Sequence, residues 1–354
     1  MQIMKKNLLL ISISILISLF FFEIFLRVFL PQDTSTPWRV YLKNGLLLNK
    51  NNGSAYHYFV KNDIKVKYNF GKFHNRKYDL SKSKNKILIL GDSNPFGWLL
   101  EDKDTYIYKI AEKFPNYEFI NSSAGGHGTS DQLRYFDLFC KKIKPKITFV
   151  LINFDDIGRS KVSNLYYLDN AQILKKGTNK VPKIYKITDD NIVYEFLVSN
   201  FHFMGFLRKS YVIISNYKFL KKNNPEIKSD LGSNENQSKT VKVETKPINK
   251  NYDFERKLYL NFKSISEECE TKLILINLAW FDASKYMTNT YDFLKNNTEF
   301  FQEYNINYID LNDGMKVKHN NPDEYVIKNE GHPNLNASNL YFSLLYKEFE
   351  KIIK

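Results

Sequence analysis

Apolar residues are distributed along this chain in two ways. Short unbroken runs bounded by polar residues occur at Lys86 to Leu90 (KILIL), Tyr117 to Asn121 (YEFIN), Ile147 to Ile152 (ITFVLI), Lys272 to Asn277 (KLILIN) and Asn307 to Leu311 (NYIDL). Their length and polar borders mark them as strands. Over Thr105 to Phe114, Ser130 to Ile143 and Ala337 to Ile353, and ahead of the fourth and fifth runs, apolar residues instead recur at helical spacing. Continuous apolar strands alternating with helices predict an α/β domain whose mostly parallel five-stranded sheet is covered on both faces. Function in such a sheet sits at the carboxyl ends of the strands.

Other stretches depart from this alternation. Lys5 and Lys6 precede an apolar run from Asn7 to Leu30, about 36 Å of helix against a hydrocarbon core of ~30 Å. Glu23 and Arg27 interrupt it one turn apart, where they can pair or snorkel to the interface. No small-residue cleavage site precedes Pro31, so residues 1–30 are expected to be an uncleaved anchor, with the rest of the chain on the outer face of the membrane. Residues 31–80 are rich in turn-formers and aromatics and are expected to be an irregular lead-in to a domain at 81–354. That domain carries an insertion at 159–250. Within it, Asp190 to Leu220 is aromatic-rich and suits a helix that packs over the site or lies on the membrane, with core packing the expectation. Lys221 to Lys250 has no aromatics and few large apolar residues, the composition of a mobile loop.

The 354 residues include 52 Lys and Arg against 38 Asp and Glu, a net charge of +14, and 43% are hydrophobic. The charge is spread rather than clustered, so nucleic acid is not an expected partner, whereas an anionic membrane surface or an acidic glycan stays open. Cys140 and Cys269 lack metal-ligand spacing. A disulfide between them is open in an oxidising compartment, but two buried thiols on separate helices are the expectation.

The first strand runs directly into Gly91-Asp92-Ser93-Asn94. A serine hydroxyl is a weak nucleophile until a base takes its proton and a third group orients that base. Of six histidines, only His332 in NEGHPN combines an acidic neighbour, Glu330, with a position just before the C-terminal helix. The next strands end in INSSAGGHGTSDQ, with Gly125, Gly126, His127 and Gly128, and in INFDD, with Asn153, Asp155 and Asp156. Three consecutive strand ends thus deliver polar or glycine-rich residues to one edge. Read singly, each is bland: Gly-Asp-Ser is a common turn, His127 a polar neighbour, and the two aspartates helix caps.

GDSN, INSSAGGHGTSDQ, NFDD and EGHPN together resemble the four ordered blocks of the SGNH (GDSL-like) hydrolases, and most closely the bacterial branch with a single N-terminal membrane helix. The resemblance covers roughly Lys86 to Lys354, interrupted by the insertion. It implies a flavodoxin-like three-layer α/β/α sandwich, no metal and no cofactor, and ester hydrolysis or acyl transfer through a serine acyl-enzyme. Carried over by position, Ser93 is the nucleophile and one oxyanion donor, His332 the base and Glu330 its acid. Ser123 stands where the family usually has an oxyanion-hole glycine. Asp155 stands where it usually has the oxyanion-hole asparagine, and a carboxylate there repels an oxyanion unless protonated. Asn153 is the substitute amide. Asp92, Asn94, Gly125, Gly126, His127 and Asp156 are candidates for lining the substrate.

The expected function is removal or transfer of O-acyl groups, acetyl foremost, on cell-envelope carbohydrate by a domain on the outer side of a bacterial inner membrane, alongside envelope-polysaccharide assembly proteins. Two rivals are a catalytically degenerate domain that binds glycan or scaffolds an assembly, and a lipid esterase.

Overall fold

The computed structural model describes residues 2–81, 83–153, 155–179, 181, 191–223, 253–278, 297–311 and 322–353. The chain separates into two compact units, residues 1–34 with 193–251, and residues 35–192 with 252–354.

The larger unit is built on the expected sheet. Its strands are β1 (Lys86–Leu90), β2 (Glu118–Asn121), β3 (Ile147–Ile152), β4 (Lys272–Asn277) and β5 (Asn307–Asp310). All pair in parallel, in the spatial order β2-β1-β3-β4-β5. This is the flavodoxin-like doubly wound order, whose switch point lies between β1 and β3. Every residue of β3 is buried, as a central strand covered on both faces requires.

Alternate side chains feed two separate cores. Leu88 and Leu90 pack with Leu133, Phe136, Tyr259 and Phe262, under the helices Thr129–Ile143 and Asp253–Glu268. Ile87 and Ile89 pack with Ile107, Ile110, Tyr341 and Leu345, under the helices Tyr106–Lys113 and Leu335–Ile353. The result is a three-layer sandwich.

Two expectations for this unit are corrected. The lead-in contains an antiparallel hairpin of Gly53–Phe59 and Ile64–Phe70. Its inward residues, among them Ala55, Val66, Tyr68 and Phe70, form a third apolar cluster with Trp38, Phe96 and Leu99. Period-two alternation, with Lys65 and Lys67 facing out, is what makes this stretch regular. The thiols of Cys140 and Cys269 do not stay apart but form a disulfide with Cα atoms 6.2 Å apart. Both helices leading to them return antiparallel to the strands on the same face, stacked through Phe136 and Phe262, so their C-terminal ends meet.

In the smaller unit the helix Gln2–Phe29 includes a stretch, Lys5–Phe29, long and apolar enough to cross a membrane, with an 18-residue window of mean hydropathy 2.6. Glu23 and Arg27 pair across one turn at 2.7 Å. The aromatic-rich stretch forms two helices, Ile192–Asn200 and His202–Asn223. Core packing was the expectation, yet Ile192, Val193, Phe196, Leu207, Tyr211 and Ile214 are all exposed. The N-terminal helix meets these helices through Glu23, Arg27 and the Phe22–Phe206 ring contact, none of which covers the exposed apolar side chains. The segment expected to be a mobile loop lies, from 224 to 250, outside the described residues.

The disulfide closes a span of 129 residues. Reducing it, or making Cys140→Ser, is expected to lower the unfolding free energy by about 2–5 kcal/mol. Denaturant midpoints with and without reductant measure this, and coincident midpoints would show that the bond contributes nothing.

Candidate active site

β1 stops at Leu90, and Asp92 caps the four-residue helix Ser93–Phe96 by accepting the Asn94 N–H at 2.9 Å. This places Ser93 at the carboxyl edge of the sheet beside the switch point, with 5% of its surface exposed. The short helix ends at Gly97, whose φ of +77° is left-handed and where a Cβ would come within 2.8 Å of Arg76 Nη1. Glycine is needed there for both reasons.

Arg76 fixes the loop beyond. Its buried guanidinium donates to the carbonyls of Phe96 (2.6 Å), Gly97 (2.8 Å) and Leu100 (2.5 Å) and to Asp102 Oδ1 (2.6 Å). Its backbone bridges the hairpin residue Phe70 to Asn121 of β2. One residue thereby locks the lead-in, the sheet edge and the serine loop together.

His332 reaches the serine from the segment before the C-terminal helix. The Ser93 hydroxyl donates to its Nε2 at 2.7 Å, and its Nδ1–H lies 2.7 and 2.8 Å from the two oxygens of Glu330. The Nδ1–H donation leaves Nε2 as the acceptor, the tautomer a base needs. The carboxylate, only two residues away, reaches the ring because the chain reverses: Asn329 and Gly331 have φ of +65° and +91°. Burial pushes Glu330 up, but the hydrogen bonds and charge of His332, with a hydrogen bond from Trp98, outweigh it and hold the carboxyl below its ordinary range. The Trp98 ring also stacks on His332, with centroids 5.5 Å apart and planes 28° apart, and the Arg39 guanidinium lies 5.4 Å from the Trp98 centroid.

A second cluster surrounds Asp92. This carboxylate, 1% exposed, accepts from Asn153 Nδ2 at 3.0 Å and Arg159 Nη1 at 2.9 Å. Arg159 Nη2 also donates to Asp155 Oδ2. Asp155 sits at the N-cap position of the helix Asp156–Ser163 but makes no cap hydrogen bond, because its side chain turns to Arg159. Burial pushes the Asp155 carboxyl up, against the pull of Arg159. Asp156 is fully buried and accepts the Asn153 N–H (3.1 Å) and the Gln132 amide (3.0 Å). Burial and the nearby Asp92 push it well above the carboxylate range.

The structure therefore groups Ser93, His332 and Glu330 directly, and links Asp92 to Asn153, Asp155 and Asp156 through Arg159 and shared hydrogen bonds. Other candidates are committed elsewhere. The Ser123 N–H is donated to Asn121 Oδ1 at 3.2 Å, and Asn94 Nδ2 to the Tyr341 hydroxyl at 3.1 Å. His127 is buried and its Nε2 meets the Leu47 carbonyl at 2.5 Å, so it supports the lead-in. Gly125 approaches the Arg39 and Trp98 side chains, whereas a Cβ on Gly126 would meet nothing within 4 Å.

Sequence reasoning passed over Trp98, Arg159 and Arg76. Arg159 carried a signal, standing four and three residues after Asp155 and Asp156 on one helix face. Trp98 lies five residues after Ser93, but nothing local joins it to the C-terminal loop.

No protein-family model and no curated protein matches the chain. Solved structures that match include a psychrotrophic esterase, EstA, from Pseudoalteromonas sp., at 13% identity and TM-score 0.41 over 76% of this chain and 98% of that one. An acetyl xylan esterase, AlAXEase, matches at 11% and 0.41 over 74% and 98%. A lipolytic protein of the G-D-S-L family from Veillonella parvula matches at 11% and 0.36 over 75% and 98%.

Trp98→Phe keeps a ring over His332 but removes the N–H donor to Glu330, so kcat/KM on a simple acetate ester is expected to fall on the order of 10-fold. Because Glu330 is held low, its contribution to stability is present above the ordinary carboxylate range and lost as pH falls through its folded value. The variant should lose it at higher pH, which acid-unfolding curves measure. Arg159→Gln strands Asp92 as an uncompensated buried charge and should destabilise the fold by on the order of 3 kcal/mol, read by thermal unfolding.

Proposed function

We propose that the chain is a serine esterase of the SGNH type, held to a membrane by its N-terminal helix and acting on O-acyl groups of cell-envelope carbohydrate. The observation that carries this is the continuous relay from Ser93 Oγ through His332 to Glu330, at 2.7 to 2.8 Å per link.

In this reading His332 Nε2 takes the Ser93 proton as Oγ attacks the ester carbonyl, and Glu330 stabilises the imidazolium through Nδ1–H. The Ser93 backbone N–H donates to the developing oxyanion. The tetrahedral intermediate collapses to an acyl-serine as His332 protonates the departing alcohol oxygen. Water, or a sugar hydroxyl in the transfer variant, then gives its proton to His332 and attacks the acyl-serine, restoring the serine.

A second reading is favoured by one group of contacts. The Ser123 N–H and the Asn153 amide are already donated elsewhere, and Asp155 stands where an amide is expected. A domain that binds acylated glycan without turning it over fits those contacts.

The wild-type chain is expected to be labelled by a fluorophosphonate probe and Ser93→Ala not at all; equal labelling of both would refute the serine assignment. Ser93→Ala and His332→Ala should each lower kcat by on the order of 1000-fold or more. No ester turnover by a labelled wild type would favour the binding reading, and preference for long acyl chains would replace carbohydrate by lipid.

A further inference from the structure

The two charges within the apolar N-terminal helix are matched to the ends of two other helices. Glu23, 7% exposed, accepts the backbone N–H groups of His202 (3.0 Å) and Phe203 (2.9 Å), the first two residues of the helix His202–Asn223. Arg27 Nη2 donates at 2.5 Å to the carbonyl of Asn200, the last residue of the helix Ile192–Asn200. An acid at a helix N terminus and a base at a helix C terminus both satisfy orphaned backbone groups and complement the helix dipoles. The Gln32 N–H donates to His202 Nδ1 at 2.8 Å, and the Phe22 and Phe206 rings meet edge to face at 5.9 Å. The break between the two helices is thus clasped near the C-terminal end of the apolar helix.

What the clasp leaves uncovered is apolar. Ile192, Val193, Phe196, Leu207, Tyr211 and Ile214 are 52–81% exposed. The sequence of the second helix also carries five basic residues, Arg208, Lys209, Lys218, Lys221 and Lys222, and no acidic one. Exposed apolar and aromatic side chains on a purely basic helix match the boundary between lipid phosphates and acyl chains.

We propose that the helices 192–223 lie in the headgroup layer of the bilayer that the N-terminal helix enters, seated there by the Glu23 and Arg27 clasp. This rests on the reading of the N-terminal helix as an anchor. The lipid surface covers the exposed apolar residues, and the exposed Arg208 and Lys209 meet the phosphates. A buried Glu–Arg pair within an apolar segment then serves to fix a second element at a set depth.

Depth-dependent quenching tests this on the full chain, reconstituted in phosphatidylcholine and phosphatidylglycerol vesicles containing lipids brominated near the top of the acyl chain, which report on 207 and 211, or, in a parallel set, near its terminal methyl, which report on 16. Single tryptophans are introduced by Leu207→Trp and Tyr211→Trp, with Leu16→Trp reporting on the anchor and Val162→Trp on the exposed surface of the larger unit. The added emission at 207 and 211 is expected to drop roughly twofold or more relative to unbrominated vesicles, with none lost at 162. Quenching at 16 but not at 207 and 211 overturns the headgroup placement and leaves the anchor standing. No quenching at 16 overturns the anchor and the placement together.

Discussion

Arg76 has no exposed side-chain surface, yet its guanidinium carries a full charge. Such a charge is tolerable only if its donors are met, and they are met by three carbonyls of the segment after Ser93 and by Asp102. The reverse dependence matters as much. Those carbonyls flank left-handed Gly97, and without the guanidinium the Phe96 and Leu100 carbonyls would lose their donor, while the Gly97 carbonyl would keep only the Leu100 N–H at 3.1 Å. The Tyr68 and Phe96 rings flank the cation at 4.9 and 5.2 Å, so the hairpin cluster and the serine loop share one counterpart. The position of Ser93 is therefore set from below by β1 and from the side by a residue of the lead-in.

Above that support, the edge of the sheet gathers three carboxyl groups. Asp92, Asp155 and Asp156 crowd within reach of one arginine, and Arg159 answers two of them by hydrogen bond and the third at 3.9 Å. The same cation that makes a buried Asp92 tolerable also draws the Asp155 carboxylate toward itself. The carboxyl of Asp155 at this edge is thus accompanied by a fixed positive charge, which offsets part of the negative potential there.

The five strands were legible because each is buried on both faces and so reads as an unbroken apolar run. Ser93, Glu330 and His332 were legible for a different reason: one follows a strand directly, and the other two form a local pair. The hairpin was harder because aromatics and turn-formers obscured its alternation, although Val66, Tyr68 and Phe70 keep strict period two. Trp98 acts through His332, and Arg159 through its bond to Asp92, both distant in the chain; no local pattern encodes either pairing, although the Asp155 and Asp156 partners of Arg159 lie on its own helix. His127 shows the converse: its glycine-rich setting suggested a site residue, but its partner is the Leu47 carbonyl of a segment whose path the sequence did not disclose. The disulfide stayed one of two readings on the same grounds, since it depends on two helices lying side by side.

That disulfide has a consequence for the insertion between β3 and β4, all of which lies inside the covalent ring. An inserted segment ordinarily opposes folding through the entropy of bringing its two ends together, a penalty that grows slowly with length. In the oxidised chain the closure from Cys140 to Cys269 exists before the sheet forms, so the flanks of the insertion begin as neighbours whatever lies between them. The length and composition of the insertion are thereby partly uncoupled from the stability of the sheet. A segment free to vary in this way can acquire a surface role of its own while the core around it stays the same.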